Sequence, residues 1–151
     1  MRFVLLAIVG IGLMSGAALA GGDAVKGENV FKKCVACHAI ADKTNKVGPH
    51  LVGLVGRAVA TVEGYAYSNS MKEYAAAGAV WDEAALLAFL ENPKAIVTKS
   101  KMAFPGLKKE EEREDLIAFL KVKGVAGLSS IDELSSTADS APVSSGLVLP
   151  K

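Results

Sequence analysis

The pattern of apolar and polar residues between positions 22 and 124 predicts several short amphipathic helices joined by loops. The first helix lies in the segment DAVKGENVFKKC, which begins at Asp23, a residue suited to cap a helix N-terminus. Four later residues of this segment recur at helical spacing: Gly27, Val30, Phe31 and Cys34. They define one apolar face of the predicted helix.

Three further helices are predicted from their capping residues and apolar stripes. The segment SNSMKEYAAAG has serine and asparagine as candidate caps and ends at Gly78, and WDEAALLAFLENP is capped by Asp82 and stopped by Pro93. The segment KKEEEREDLIAFLKVKG carries acids in its first turns and lysines in its last turn, which complements the helix dipole, and Gly124 ends it. The apolar stripes of these last two helices consist of Leu86, Phe89, Leu90, Leu116, Phe119 and Leu120.

The connection at residues 39–59 is long and contains Gly48, Pro49, Gly53 and Gly56. A loop of about twenty residues is uncommon in a compact domain, so we expect it to wrap around something. No segment shows the alternation typical of a strand. The pattern therefore favours an all-α domain with long loops.

The first twenty residues have the order of a secretory signal peptide. Arg2 precedes an apolar run, and small residues precede Ala20. We therefore expect residues 1–20 to be removed by cleavage after Ala20 and the protein to reside in the periplasm. An uncleaved membrane anchor is the alternative, although the apolar run is short for a spanning helix and is interrupted by glycines.

The rest of the chain carries balanced charge and ends in a segment of different composition. Without Arg2 it has 16 basic and 16 acidic residues, so net charge indicates no strongly charged partner such as nucleic acid. Residues 125–151 are rich in serine, alanine and glycine and show no sustained period, which predicts a disordered tail. The ordered domain would then span residues 21–124.

The two cysteines of the chain, Cys34 and Cys37, stand two residues apart, and His38 follows them. A disulfide or thioredoxin-like redox pair would suit a secreted protein, but the redox pair expects a βαβ context that the pattern lacks. A zinc site would need four ligands, and including His50 would still require the adjacent Cys37 and His38 to converge on one ion. The third hypothesis is Cys-x-x-Cys-His, the pattern of covalent haem attachment.

Haem attachment would explain the spacing, because two thiols one helical turn apart can add to the two vinyl groups of haem. The histidine beside the second thiol then lies under the iron. An open sixth position on the iron suggests gas binding or catalysis, and a filled one suggests electron transfer. Candidate ligands are His50, Met71 and Met102, of which Met102 stands in the loop segment TKSKMAFPGLKK.

Six motifs occur in order over about residues 23–123: GENVFKKCVACH, VGPHLVGLVGR, EGYAYSNSM, WDEAALLAFLENP, KSKMAFPGLKK and DLIAFLK. In these motifs the chain resembles the class I c-type cytochromes, close to bacterial cytochromes c2 and mitochondrial cytochrome c. The resemblance implies three to five helices and long loops wrapped around one covalently bound haem c. It implies attachment through Cys34 and Cys37 and axial ligation by His38 and Met102.

Further roles also follow from the resemblance. The Pro49 carbonyl would accept a hydrogen bond from His38 and fix its ring. The residues that would bind the haem propionates are Arg57, Tyr67 and Trp81, and those on the methionine side are Ser100 and Phe89. The implied crossing of the first and last helices involves Gly27, Phe31, Leu116 and Phe119. Three positions depart from the family pattern: Met71, Phe89 and Glu111.

The implied function is that of a monomeric electron carrier and not an enzyme. It would shuttle between a bc1-type donor and a terminal oxidase, a photosynthetic reaction centre or a periplasmic reductase. The lysines expected to ring the haem edge are Lys33, Lys94, Lys101, Lys108 and Lys109, with the acids from Glu110 to Asp115 further back. The other classes are a haem peroxidase, in which Met102 would leave the iron, and a gas-binding cytochrome of the c-prime kind.

Overall fold

The computed structural model describes residues 21–126, which form five helices joined by irregular loops. The helices are α1 (Ala24–Phe31), α2 (Asn69–Ala76), α3 (Glu83–Glu91), α4 (Pro93–Ile96) and α5 (Glu110–Ala126). Within residues 21–126 the one β-type pairing is an isolated bridge between Ala58 and Val80. The predicted all-α class is therefore confirmed for this part of the chain. The predicted signal peptide and nearly all of the predicted tail lie outside the described residues.

Three helices begin where their capping residues predict. The side chains of Asp23, Ser68 and Asp82 each accept a hydrogen bond from a backbone N–H in the first turn, at 2.8, 3.2 and 2.7 Å respectively. Such a bond satisfies one of the donors that the start of a helix leaves without a partner. Local side-chain chemistry thus sets the starts of α1, α2 and α3.

Of two predicted helix ends, the one at Pro93 is confirmed and the one at Gly124 is wrong. Pro93 stops α3, but it also begins α4, because proline at a first helical position loses no hydrogen bond and already has a helical φ. Gly124 does not end α5, which continues to Ala126. Gly124 is buried, and a side chain there would lie 3.1 Å from the backbone nitrogen of Gly53. This glycine allows a close approach to the loop. The domain limits predicted from the sequence stay predictions.

Helices α1 and α5 cross at Gly27. A Cβ atom at Gly27 would collide with the Asp115 carbonyl and lie 2.7 Å from the Phe119 Cβ, so the crossing requires glycine. The rings of Phe31 and Phe119 pack with their centroids 5.2 Å apart, and Leu116 is 1% exposed. The crossing implied by the resemblance is therefore present.

The apolar stripes of α3 and α5 are buried as predicted. They form one core cluster with Trp81 and with residues of the loops, and Met102 packs against its edge. No helix within residues 21–126 is both long and apolar enough to cross a membrane. The core leaves one side of the helices facing a cavity.

Candidate haem-binding site

A cavity of about 270 Å³ lies between the end of α1, the α3 helix and the long loops. Its wall includes all nine residues that the sequence predicts to bind the cofactor: Cys34, Cys37, His38, Pro49, Arg57, Tyr67, Trp81, Ser100 and Met102. These residues come from segments up to 68 positions apart in the sequence. The fold therefore gathers the predicted set around one space.

The Cys-x-x-Cys-His segment forms one hydrogen-bonded turn that continues α1. The backbone N–H groups of Cys37 and His38 both donate to the Cys34 carbonyl, each at 3.0 Å. Both cysteines and the histidine line the cavity. This is the arrangement that attachment of one group through two thiols requires.

The other two hypotheses for the cysteines find no support in the structure. No disulfide joins Cys34 to Cys37, and burial raises the pKa of the Cys34 thiol to about 11, which disfavours its thiolate. Within residues 21–126 no three histidine, cysteine, aspartate or glutamate side chains are placed to hold a metal ion together. His50 is not part of the cavity wall that Cys34, Cys37 and His38 line.

The His38 ring is held in a defined orientation. Its Nδ1 lies 2.7 Å from the Pro49 carbonyl oxygen, which can only accept, so Nδ1 is the donor. That tautomer leaves Nε2 with a lone pair for a metal. Burial lowers the pKa of His38, which favours the neutral imidazole that ligates metals. The contact implied by the resemblance is thus present.

Gly48 makes room for this ring. A Cβ atom at Gly48 would collide with Cε1 of His38 and lie 2.7 Å from its Nδ1. The Gly48 N–H also donates to the Cys37 carbonyl at 2.8 Å, which ties the loop to the attachment turn. The sequence shows Gly48 as a loop glycine beside Pro49, but its contact with His38 becomes visible only in the fold.

The Met102 loop is fixed at its near end by two bonds. The Met102 N–H donates to Ser100 Oγ at 3.1 Å, and Lys101 Nζ donates to the Ala66 carbonyl at 3.0 Å. Met102 is half-buried and lines the cavity, as does Met71 on α2. Both methionines thus line the cavity whereas His50 does not, and the family motif matches Met102.

The residues predicted to bind propionates also organise the loop around the cavity. Arg57 donates from Nη1 to the Val52 carbonyl at 2.8 Å and from Nη2 to the His50 carbonyl at 3.2 Å. The Tyr67 hydroxyl accepts from the Val62 N–H at 3.3 Å. Burial lowers the pKa of Arg57. The guanidinium still stays charged at neutral pH, because its ordinary pKa is very high. A cation on this wall favours an anionic group in the cavity.

One predicted charge arrangement differs in the structure. Glu112 lies beside two of the lysines predicted to dock a partner and not behind them, because the α1–α5 crossing brings the first turn of α5 next to the end of α1. Its carboxylate pairs with Lys33 at 2.8 Å and lies 4.0 Å from Lys109 Nζ. Lys33 and Lys101 both line the cavity. All five predicted docking lysines are exposed, although Glu112 partly balances two of them.

The residues present fit a covalently bound haem. Two thiols stand one turn apart, an oriented neutral imidazole and a thioether share one cavity, and a guanidinium can meet an anion. Much of the remaining wall consists of apolar side chains of the core, including Leu86, Phe89 and Leu116. A flat apolar ring with acidic substituents matches such a cavity in both polarity and attachment.

Comparison with known proteins agrees with this geometry. The cytochrome c family model matches residues 24–122. The chain belongs to the cytochrome c family. It is 49% identical over 105 residues to cytochrome c of Gibberella zeae, a match that covers 68% of this chain and 96% of that relative. It is 45% identical over 122 residues to cytochrome c2 of Rhodomicrobium vannielii, with 80% and 95% covered.

A solved relative has the same fold. The structure of cytochrome cH from Methylobacterium extorquens matches with a TM-score of 0.62 and 41% identity, and covers 67% of this chain and 99% of that one. The class I c-type cytochrome fold is therefore confirmed. Membership of this family implies haem c, and the cysteine spacing of this cytochrome matches that implication.

Proposed function

We propose that this cytochrome is a soluble periplasmic one-electron carrier with a single haem c. The haem is attached through Cys34 and Cys37 and ligated by His38 and Met102. The carrier shuttles electrons between a bc1-type donor and a terminal oxidase, a reaction centre or a periplasmic reductase. The observation that carries the proposal is that these four residues, from two distant segments, line one cavity.

The protein groups suit electron transfer. When bound, haem c supplies an iron that cycles between the ferric and ferrous states. Imidazole and thioether are both neutral donors, and this pair together with burial favours the reduced state and a positive reduction potential. Pro49 fixes the His38 ring, and Ser100 fixes the Met102 backbone, so the ligands need little rearrangement between the two states. His38 and Met102 would both ligate the metal, which would leave no position on it for a substrate.

Attachment is tested by extraction. Acidified organic solvent should leave the colour with the purified protein, because thioether bonds survive this treatment. Free haem in the solvent phase would contradict covalent attachment. A matched Cys34→Ser and Cys37→Ser double variant should release or fail to retain haem, which controls for incomplete extraction.

Location and partners are tested in the host. The mature protein should be recovered from the periplasmic fraction with Gly21 at its N-terminus. Membranes that contain the bc1-type complex should reduce it, and specific inhibition of each terminal acceptor in turn should identify the complex that reoxidises it. Recovery only in the cytoplasm, or no reduction by such membranes, would contradict the proposal.

Docking is proposed at the lysines around the cavity. The partner would present an acidic surface to Lys94, Lys101 and Lys108, whose charges are not paired with Glu112 in the structure. Lys101 and Lys108 donate to backbone carbonyls, at 3.0 and 2.9 Å, which orders the side chains without cancelling their charge. Such a surface steers encounter and raises the association rate more than the affinity.

A further inference from the structure

The segment that follows Met102 is held at its far end by a buried guanidinium. Arg113, in the first turns of α5, is only 7% exposed. Its Nη1 donates to the Leu107 carbonyl at 2.8 Å and to the Lys108 carbonyl at 3.2 Å. Glu91 on α3 is a weak partner, with its carboxylate 3.9 Å from Nη2. Arg113 therefore makes its hydrogen bonds to the backbone of the segment that follows Met102.

The same stretch is also bound to the end of α3. The Leu107 N–H donates to the Leu90 carbonyl at 2.7 Å, and Lys108 Nζ donates to the Glu91 carbonyl at 2.9 Å. Gly106 has a φ of +89° and packs directly on the Glu91 carbonyl, where a Cβ atom would collide. Residues 106–108 thus form a fixed anchor between α3 and α5.

Only four residues separate Met102 from Leu107, so this anchor limits how far the methionine can move. The near end of the loop is fixed by the bonds of Ser100 and Lys101. A buried charged donor that loses its acceptors keeps the full cost of its desolvation, so departure of this loop from Arg113 is strongly opposed. Arginine suits the position because its Nη1 carries two N–H groups, which can donate to two neighbouring carbonyls.

We propose that Arg113 is a positioning residue for Met102. By holding the carbonyls of Leu107 and Lys108, it keeps the loop closed and determines how firmly the thioether occupies the sixth position on the iron. This inference rests on the proposed function, since it takes Met102 as the axial ligand. Arg113 lies outside the cavity wall and yet controls access to the metal.

The proposal is tested by competition between Met102 and added imidazole in the ferric protein. The variant Arg113→Met keeps a long side chain and removes the donors, and Arg113→Lys keeps the charge and offers a smaller, rotatable donor group. The control is Asp115→Ala. Asp115 is also a buried charged residue of α5, but its carboxylate accepts from the Asp23 N–H at 2.6 Å and ties α5 to α1.

Apparent imidazole affinity should rise about tenfold in Arg113→Met and by a smaller factor in Arg113→Lys, with the sulfur-to-iron absorption band retained before imidazole is added. A tenfold change corresponds to about 1.4 kcal/mol at 25 °C. Asp115→Ala should lower the thermal midpoint without changing imidazole affinity, because the Asp115 carboxylate bonds to Asp23 before α1 and not to the Met102 loop.

An effect no larger in the Arg113 variants than in Asp115→Ala overturns the proposal. If Arg113→Met does not fold, the comparison between Arg113→Lys and Asp115→Ala decides alone. A parent protein that lacks the sulfur-to-iron band would instead contradict Met102 ligation, and with it the proposed function. The two failures are therefore distinguishable.

Discussion

Substitution of Gly48 by alanine tests the packing that orients the histidine ligand. The new Cβ atom would collide with Cε1 of His38 and lie 2.7 Å from Nδ1 and 2.9 Å from Nε2. Relief requires the ring to move away from the loop, which strains its 2.7 Å bond to Pro49. Overpacking of this kind costs about 1–3 kcal/mol. Each kcal/mol lowers the thermal midpoint by about 4–8 °C in a domain of roughly this size.

Gly48→Ala should lower the thermal midpoint but raise the reduction potential. A bond from Nδ1 to a carbonyl raises the basicity of the ligating imidazole, which favours ferric iron, and straining the bond weakens this effect. The two measurements are a thermal melt of the holoprotein followed by circular dichroism and a potentiometric titration followed by haem absorbance. Both are made on Gly48→Ala and on the parent protein under the same conditions.

Gly64→Ala is the matched control for this experiment. Gly64 has a φ of +70°, and a Cβ atom there would meet nothing closer than Asn45 Nδ2 at 3.9 Å. Its replacement should cost about 1–2 kcal/mol through left-handed backbone strain alone. The potential of this control should not change. Equal potentials in Gly48→Ala and the parent, or a melt unaffected by Gly48→Ala, would refute the role assigned to Gly48.

Three further predictions concern the second ligand, the docking surface and the tail. Met102→Ala should open the sixth position, lower the reduction potential and admit carbon monoxide, whereas His50→Asn should leave all three properties as they are; an unchanged spectrum in Met102→Ala would point to another ligand. Lys94→Glu and Lys101→Glu should slow electron transfer to an acidic partner at low salt. The difference in rate from the parent protein should shrink once the screening length falls to about 10 Å near 0.1 M. Rates independent of salt would contradict steering. Truncation after residue 126 should leave haem incorporation and the thermal midpoint nearly unchanged; a loss of several kcal/mol, typical of lost core packing, would show that the tail supports the fold.

The starts of the main helices could be predicted from the sequence because a capping side chain acts within its own first turn. Asp23, Ser68 and Asp82 all accept the bonds that their positions predict. Helix α4 was not predictable from period, since four residues make barely one turn. Gly124 has the usual sequence mark of a helix end, but its actual role is contact with Gly53, which is distant in sequence.

The residues of the candidate site could be named from motifs, and the structure gathers them in one cavity. The contacts that position them could not be named from spacing, because each depends on the tertiary fold. Examples are the collision between a side chain at Gly48 and His38, and the bonds of Arg113 to the segment after Met102. The pairing of Lys33 with Glu112 likewise follows from the helix crossing and not from the charge pattern.

The proposed function depends on one-electron transfer by a single haem with histidine and methionine ligands. A potentiometric titration of the purified protein, followed through the haem bands and the sulfur-to-iron band, tests it most directly. We expect one reversible transition that fits one electron, at a positive potential, with the sulfur-to-iron band present in the oxidised protein. A transition that needs more than one haem, a negative potential, or an oxidised protein without the sulfur band would contradict it.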